Sequence, residues 1–235
     1  MIKVNKKKDK KYYLFQMDTT ALNVISIAIL LLLFFTLDLT YPSFWDDLEV
    51  SYFNNRLVLV IIMFVGYLIL HELLHSLSYV LYGAKYNKIV YGAALEKGVL
   101  YCLCKQNITR NNILHSLLFP FFFIGIVTFI IGAVFHLPIL YMLSVFNLSG
   151  CSGDLIMFAY ISKLNKDVEF SEYDSPIAFG IYADYDVSKV RHVGLKYLES
   201  TDKLERNDFK KINISKPSMI IGIIILVLGV ITIFL

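Results

Sequence analysis

The stretch Leu57–Leu81, LVLVIIMFVGYLILHELLHSLSYVL, runs for 25 residues with a single acid, Glu72. About 20 apolar residues in a helix cross the hydrocarbon core of a bilayer, so this stretch reads as a transmembrane helix. Four other blocks follow the same rule. Ala21–Leu37, Ile113–Phe135 and Ser218–Leu235 carry no charge, and Pro138–Ile161 carries only Asp154. Lipid offers no water to bare backbone groups, so helices are the expected form. Composition agrees: 57% of the 235 residues are hydrophobic and 17% are charged, and mean hydropathy is +0.63. Soluble domains run near 45–50% and about 25%, and disorder needs low hydrophobicity. Three cysteines cannot build a disulfide framework. The expected fold class is an all-α membrane protein of about five transmembrane helices, with a small cytoplasmic β-hairpin loop and a mixed cytoplasmic segment.

Charge gives the orientation. Six lysines fall within Met1–Tyr12, five basic residues within Gly83–Asn112 and ten within Ser162–Pro217, whereas Asp38–Arg56 carries four acids and only Arg56. With the N-terminus in the cytoplasm, 21 of the 22 Lys and Arg lie inside, as the positive-inside rule expects. The C-terminus then lies outside, and the protein is expected in the cell membrane. No small-residue cleavage site follows the first block, so it is expected to stay as an anchor. The chain divides into a basic cytoplasmic tail (1–20), a membrane core (21–182), a charged cytoplasmic segment (183–216) and a last transmembrane helix (217–235). Within the loops, Asn87–Cys104 reads as a hairpin turning at Glu96-Lys97-Gly98. Ile177–Tyr182 is strand-like, and Val187–Lys211 is expected to form a charged helix.

Two acids, Glu72 and Asp154, fall inside spans, where an ionisable group is costly and marks a functional site by default. Glu72 belongs to His71-Glu72-Leu73-Leu74-His75, the H-E-x-x-H pattern on a helix. Residues i and i+4 share a helical face, so both imidazoles can bind one metal ion, with Glu72 beside it as general base toward a water. A catalytic zinc site needs three protein ligands and an open position. Asp154 is the natural third: counted from the outer membrane face at 1.5 Å per residue, His71, Asp154 and His75 lie at depths of roughly 21, 24 and 27 Å. Asn147, two turns before Asp154, is placed to orient a substrate carbonyl or an oxyanion, or to bond another helix. His115, His136 and His192 lie outside any spacing pattern, with His115 interfacial and the other two solvated. Cys102-x-Cys104 lacks zinc spacing, and Cys151 is a packing residue.

With these residues assembled, Gly66 to Tyr182 resembles the zincin peptidase family of small multi-pass membrane proteins, itself similar to the site-2 intramembrane metalloproteases. The resemblance rests on His71–His75, Tyr101-Cys102, the helix of Pro120, Asn147–Asp154 and Phe179–Tyr182. It implies that His71, His75 and Asp154 hold zinc and that Glu72 is the catalytic acid or base. Site-2 proteases place a proline-containing Asn motif before Asp-Gly. Here the run is Ser-Gly-Cys-Ser-Gly-Asp, followed by Leu155.

The reading is a membrane-embedded zinc metallopeptidase cleaving membrane or membrane-proximal substrates, with Zn2+ as cofactor. Its partners are a membrane protein or peptide and the lipid bilayer, with no nucleic acid and no oligomeric state assigned. The hairpin can pair with an unwound substrate strand by edge addition. The rival readings are a catalytically silent metal- or partner-binding membrane protein and a transporter. The transporter is disfavoured by the lack of an inverted repeat.

Overall fold

The structure is a computed structural model that describes residues 10–48, 50–94, 99–172, 177–198 and 210–211. Strand β1 (Lys11–Met17) leads directly into α1 (Thr19–Phe35), with Asp18 as the cap between them. The Asp18 carboxylate accepts from the N–H groups of Thr20 and Ala21 at 2.9 and 3.3 Å, satisfying donors that a helix start leaves bare. Two short helices, α2 (Leu37–Thr40) and α3 (Phe44–Asp47), turn the chain into α4 (Val50–Leu81). The hairpin β2 (Ile89–Ala94) and β3 (Val99–Cys104) follows, then β4 (Ile108–Thr109). Helix α5 (Arg110–Pro120) continues through a π-turn at Phe121–Ile126 into α6 (Val127–Val134). Helices α7 (Pro138–Gly150) and α8 (Ser152–Ile161) meet at Cys151 with a bend of 44°. The remaining strands are β5 (Glu169–Glu172), β6 (Ala178–Ala183), β7 (Leu195–Leu198) and β8 (Lys210–Lys211).

The helical passes run alternately away from and back to one end, and the strands gather at that end. One antiparallel sheet has the order β4-β5-β6-β1-β7, and a second has β3-β2-β8. The pairing of β1 with β6 runs from Lys11 opposite Ala183 to Gln16 opposite Ala178. Beneath the larger sheet, Phe15 stacks on Phe179 at 5.8 Å and packs on Tyr160 of α8 at 4.9 Å, so sheet and helices share one core. At the opposite end Tyr41, Phe44 and Tyr141 form a small aromatic cluster. His136, in the α6–α7 turn, adopts a left-handed conformation (φ 55°) and bonds Asp47 at 3.0 Å and Ser43 at 2.8 Å. That His136 bond first, then those of Ser43 and Tyr41, holds the Asp47 carboxyl below its usual range. Just before this turn α6 and α7 nearly touch: a Cβ on Gly132 would lie 2.7 Å from the Tyr141 backbone nitrogen.

Two of these helices, Val60–Leu81 and Arg110–Val134, are long and apolar enough to cross a membrane. The bent pair α7–α8 makes a third crossing if taken as one span, and α1 is apolar but only 17 residues long. The expected last span, Ser218–Leu235, and the hairpin tip at Glu96–Gly98 lie outside the described residues. Apolar side chains stand exposed along these helices, among them Val24, Leu32 and Phe35 on α1, Ile61 on α4 and Ile130 on α6. Water disfavours so large an apolar surface.

The all-α expectation is therefore corrected: a substantial β part is present. Residues 11–17 of the expected tail form a strand between β6 and β7. Where a helix was expected over Val187–Lys211, the described residues form a 3-10 turn at Val187–Lys189, the strand β7 and the strand β8, and residues 199–209 lie outside the described residues. Leu195–Leu198 lies flat against β1, and that distant partner outweighs its helical charge pattern.

Candidate metal centre

Helix α4 runs unbroken through His71 and His75, so their side chains share a face one turn apart. Their Nε2 atoms lie 3.2 Å from each other. Asp154, in the first turn of α8, places Oδ2 3.3 Å from the His71 Nε2 and 3.5 Å from the His75 Nε2. The bend at Cys151 redirects the chain just before this carboxylate. These three are the cluster with metal-holding geometry among the described residues. A tetrahedral ion bonded at about 2.0–2.1 Å separates its ligands by about 3.3–3.4 Å. The three atoms match one face of that tetrahedron and leave its fourth corner open, so this donor set fits zinc.

Each imidazole is fixed from behind. The His75 Nδ1 meets the Ser116 carbonyl at 3.0 Å, and the His71 Nδ1 meets Asn147 Oδ1 at 2.8 Å. A carbonyl oxygen only accepts, so both rings carry their hydrogen on Nδ1 and present a bare Nε2. Outer partners of this kind set the tautomer and ring angle of metal-binding histidines. Asn147 is buried, and its amide nitrogen points to the Pro120 carbonyl at 3.5 Å and to Cys151 Sγ at 3.7 Å. Its carboxamide is thus engaged with His71 and the surrounding helices. Of the two readings offered for it, these contacts are those of a bond to other helices.

His71, Glu72, His75 and Asp154 line a cavity of about 410 Å3. Helix α1 contributes Leu22 and Asn23 to its wall, β3 contributes Leu100, Tyr101 and Leu103, and the large sheet contributes Phe170 and Phe179. The Glu72 carboxylate accepts the backbone N–H of Cys102 in β3. The ladder explains why that donor is available. Lys105 N–H bonds the Lys88 carbonyl at 2.8 Å, which makes Ile89–Cys104 a non-hydrogen-bonded pair, and with it Tyr91–Cys102 and Ala93–Leu100. The backbone groups of Leu100 and Cys102 therefore face away from β2.

Sequence reasoning found the four ionisable groups but not the walls from α1 and the large sheet, nor the donor from Cys102. Those contacts join segments far apart in the chain, and no local periodicity records them. Of the remaining candidates, the three histidines lie elsewhere, while Cys102 and Cys151 border the site through Glu72 and Asn147. His115 stacks on Tyr82 at 5.1 Å. His192 rests its ring edge on Phe15 and Tyr160 at 5.9 and 5.7 Å rather than standing free in solvent. The three cysteines are buried thiols.

Residues 64–168, which carry all four ionisable groups, match the model of the family described as "Putative zincin peptidase". The "Uncharacterized 24.7 kDa protein in gap 5'region" of Pyrococcus woesei is 30% identical over 126 residues, or 52% of this chain and 55% of that protein. The chain thus spans about half the length of the curated relative it matches. No solved structure matches the chain.

Proposed function

We propose that the protein is a zinc metallopeptidase embedded in the cell membrane, hydrolysing peptide bonds of membrane or membrane-proximal substrates. The observation that carries this reading is the triangle of His71 Nε2, His75 Nε2 and Asp154 Oδ2 on the cavity wall that Glu72 shares. Bound by these three residues, zinc would polarise a scissile carbonyl and acidify a water. Glu72 takes the proton of the attacking water and returns it to the leaving amine nitrogen. The Cys102 N–H holds the Glu72 carboxylate toward β3 while it does so. A water fills about 30 Å3 in the liquid, so the cavity admits the water and a stretch of substrate together. Among the described residues strand β3 is an outer strand of its sheet, and the backbone of Leu100 faces away from β2. An extended substrate segment adds along that edge, with the aromatic and aliphatic wall receiving its side chains. The sheet end lies in the cytoplasm and the end bearing His136 lies outside.

The test is Glu72→Gln, measured on purified protein in detergent against a panel of tagged single-pass membrane proteins. The variant keeps its zinc and cleaves at least ~100-fold more slowly. Undiminished cleavage by the variant would overturn the assignment. Zinc in the wild type without cleavage of any panel member would favour the catalytically silent reading.

A further inference from the structure

In an α-helix each carbonyl accepts the N–H four residues on. For Ser116 that residue is Pro120, which has none. The next N–H, from Phe121, goes to the Leu118 carbonyl. Ser116 is fully buried, so its carbonyl needs a donor from a neighbouring element. The donor is Nδ1–H of His75, at 3.0 Å. On the other side of the site, the carbonyl of Pro120 itself accepts Asn147 Nδ2 at 3.5 Å. Since that carbonyl can only accept, the amide nitrogen faces it and the amide oxygen is left toward His71, at 2.8 Å. The π-turn after Pro120 brings Gly125 against α7, where a Cβ would lie 2.6 Å from Leu148 Cδ2 and 3.4 Å from Asn147 Nδ2.

We propose that Pro120 is a positioning residue for the metal centre. Its missing N–H releases the Ser116 carbonyl to hold His75, and its own carbonyl fixes the amide that holds His71. The inference rests on the zinc reading above. It adds that one proline in a third helix, touching neither metal nor substrate, sets the direction of both imidazoles.

The experiment is zinc competition against a chromophoric chelator on the full chain in detergent, with thermal melting of the metal-free protein alongside. Pro120→Ala restores an N–H that closes the Ser116 carbonyl into α5. Zinc affinity is expected to fall about 10- to 100-fold, the effect of losing an outer partner of a ligand, while the metal-free protein melts no lower than wild type. A Pro120→Ala affinity within twofold of wild type overturns the proposal. If that variant loses its fold, a second variant decides. Asn147→Leu, which removes both the oxygen toward His71 and the amide nitrogen on the Pro120 carbonyl, is expected to lose affinity similarly. Equal affinity in Asn147→Leu overturns the proposal. Wild type that binds no zinc would instead remove the reading beneath it. The visible spectrum of the cobalt-loaded protein gives an independent readout: it shifts in Pro120→Ala if the ligand field has changed, and an unchanged spectrum counts against the proposal.

Discussion

Asp154 stands between two imidazoles whose hydrogens are turned away from it. Among the described residues a carboxylate so placed has no strong donor of its own, and a divalent cation supplies the missing charge. Elemental analysis is expected to find one zinc per chain in the wild type and to lose it in His71→Ala and in Asp154→Ala alike. Metal retained by the Asp154 variant would remove it from the ligand set. The residues of this centre were legible because their signals are local or metric: the four-residue spacing of the histidines, and a carboxylate at matching depth in a parallel span. Asn147 was legible as a polar residue on the Asp154 face able to bond another helix, but its partners were not. What its amide meets depends on Pro120 and His71, which lie on two other helices.

At the scale of elements, α1 hangs from the large sheet through Asp18. Its N–H bonds the Gly194 carbonyl at 2.8 Å, its carboxylate caps α1, and Lys196 of β7 lies 3.1 Å away. The hydrogen bond from Lys196, followed by that from the Ala21 amide, holds the Asp18 carboxyl below its usual range. A carboxyl lowered by folding contributes stability that is complete above its unfolded value of about 3.9 and is lost as pH falls through the lower folded value. Asp18→Asn keeps the cap without the charge. It should melt below wild type at pH 7, and the gap should close as pH falls below about 4. A gap independent of pH would show that the charge contributes nothing. The hairpin was legible because β2 and β3 are neighbours in sequence. Strand β1 was not, since the lysine run that ends at its first residue, Lys11, reads as a topology signal and its partners, β6 and β7, come after helices α1 to α8.

For the whole molecule, the arrangement predicts two faces of different access. Asp46 sits at the end bearing His136, and Lys166 at the sheet end. Because the natural cysteines are buried, single cysteines at these positions report on sidedness. A membrane-impermeant thiol reagent should label Asp46→Cys on intact cells and Lys166→Cys only after permeabilisation. The reverse pattern would invert the orientation while leaving the site untouched. The run of apolar blocks made the helical passes legible, and the basic residues marked one end. That this end would close into two sheets was not legible, because the pairing is long-range and the strands are short.

That closure has a consequence for how the molecule is made. Strand β1 is made before every helix of the described core, yet its partner Ala183 is made only after α8. Until then the pocket above the two histidines lacks Phe170 and Phe179. A growing chain therefore carries the spacing motif before it has made the part of the pocket wall that Phe170 and Phe179 supply.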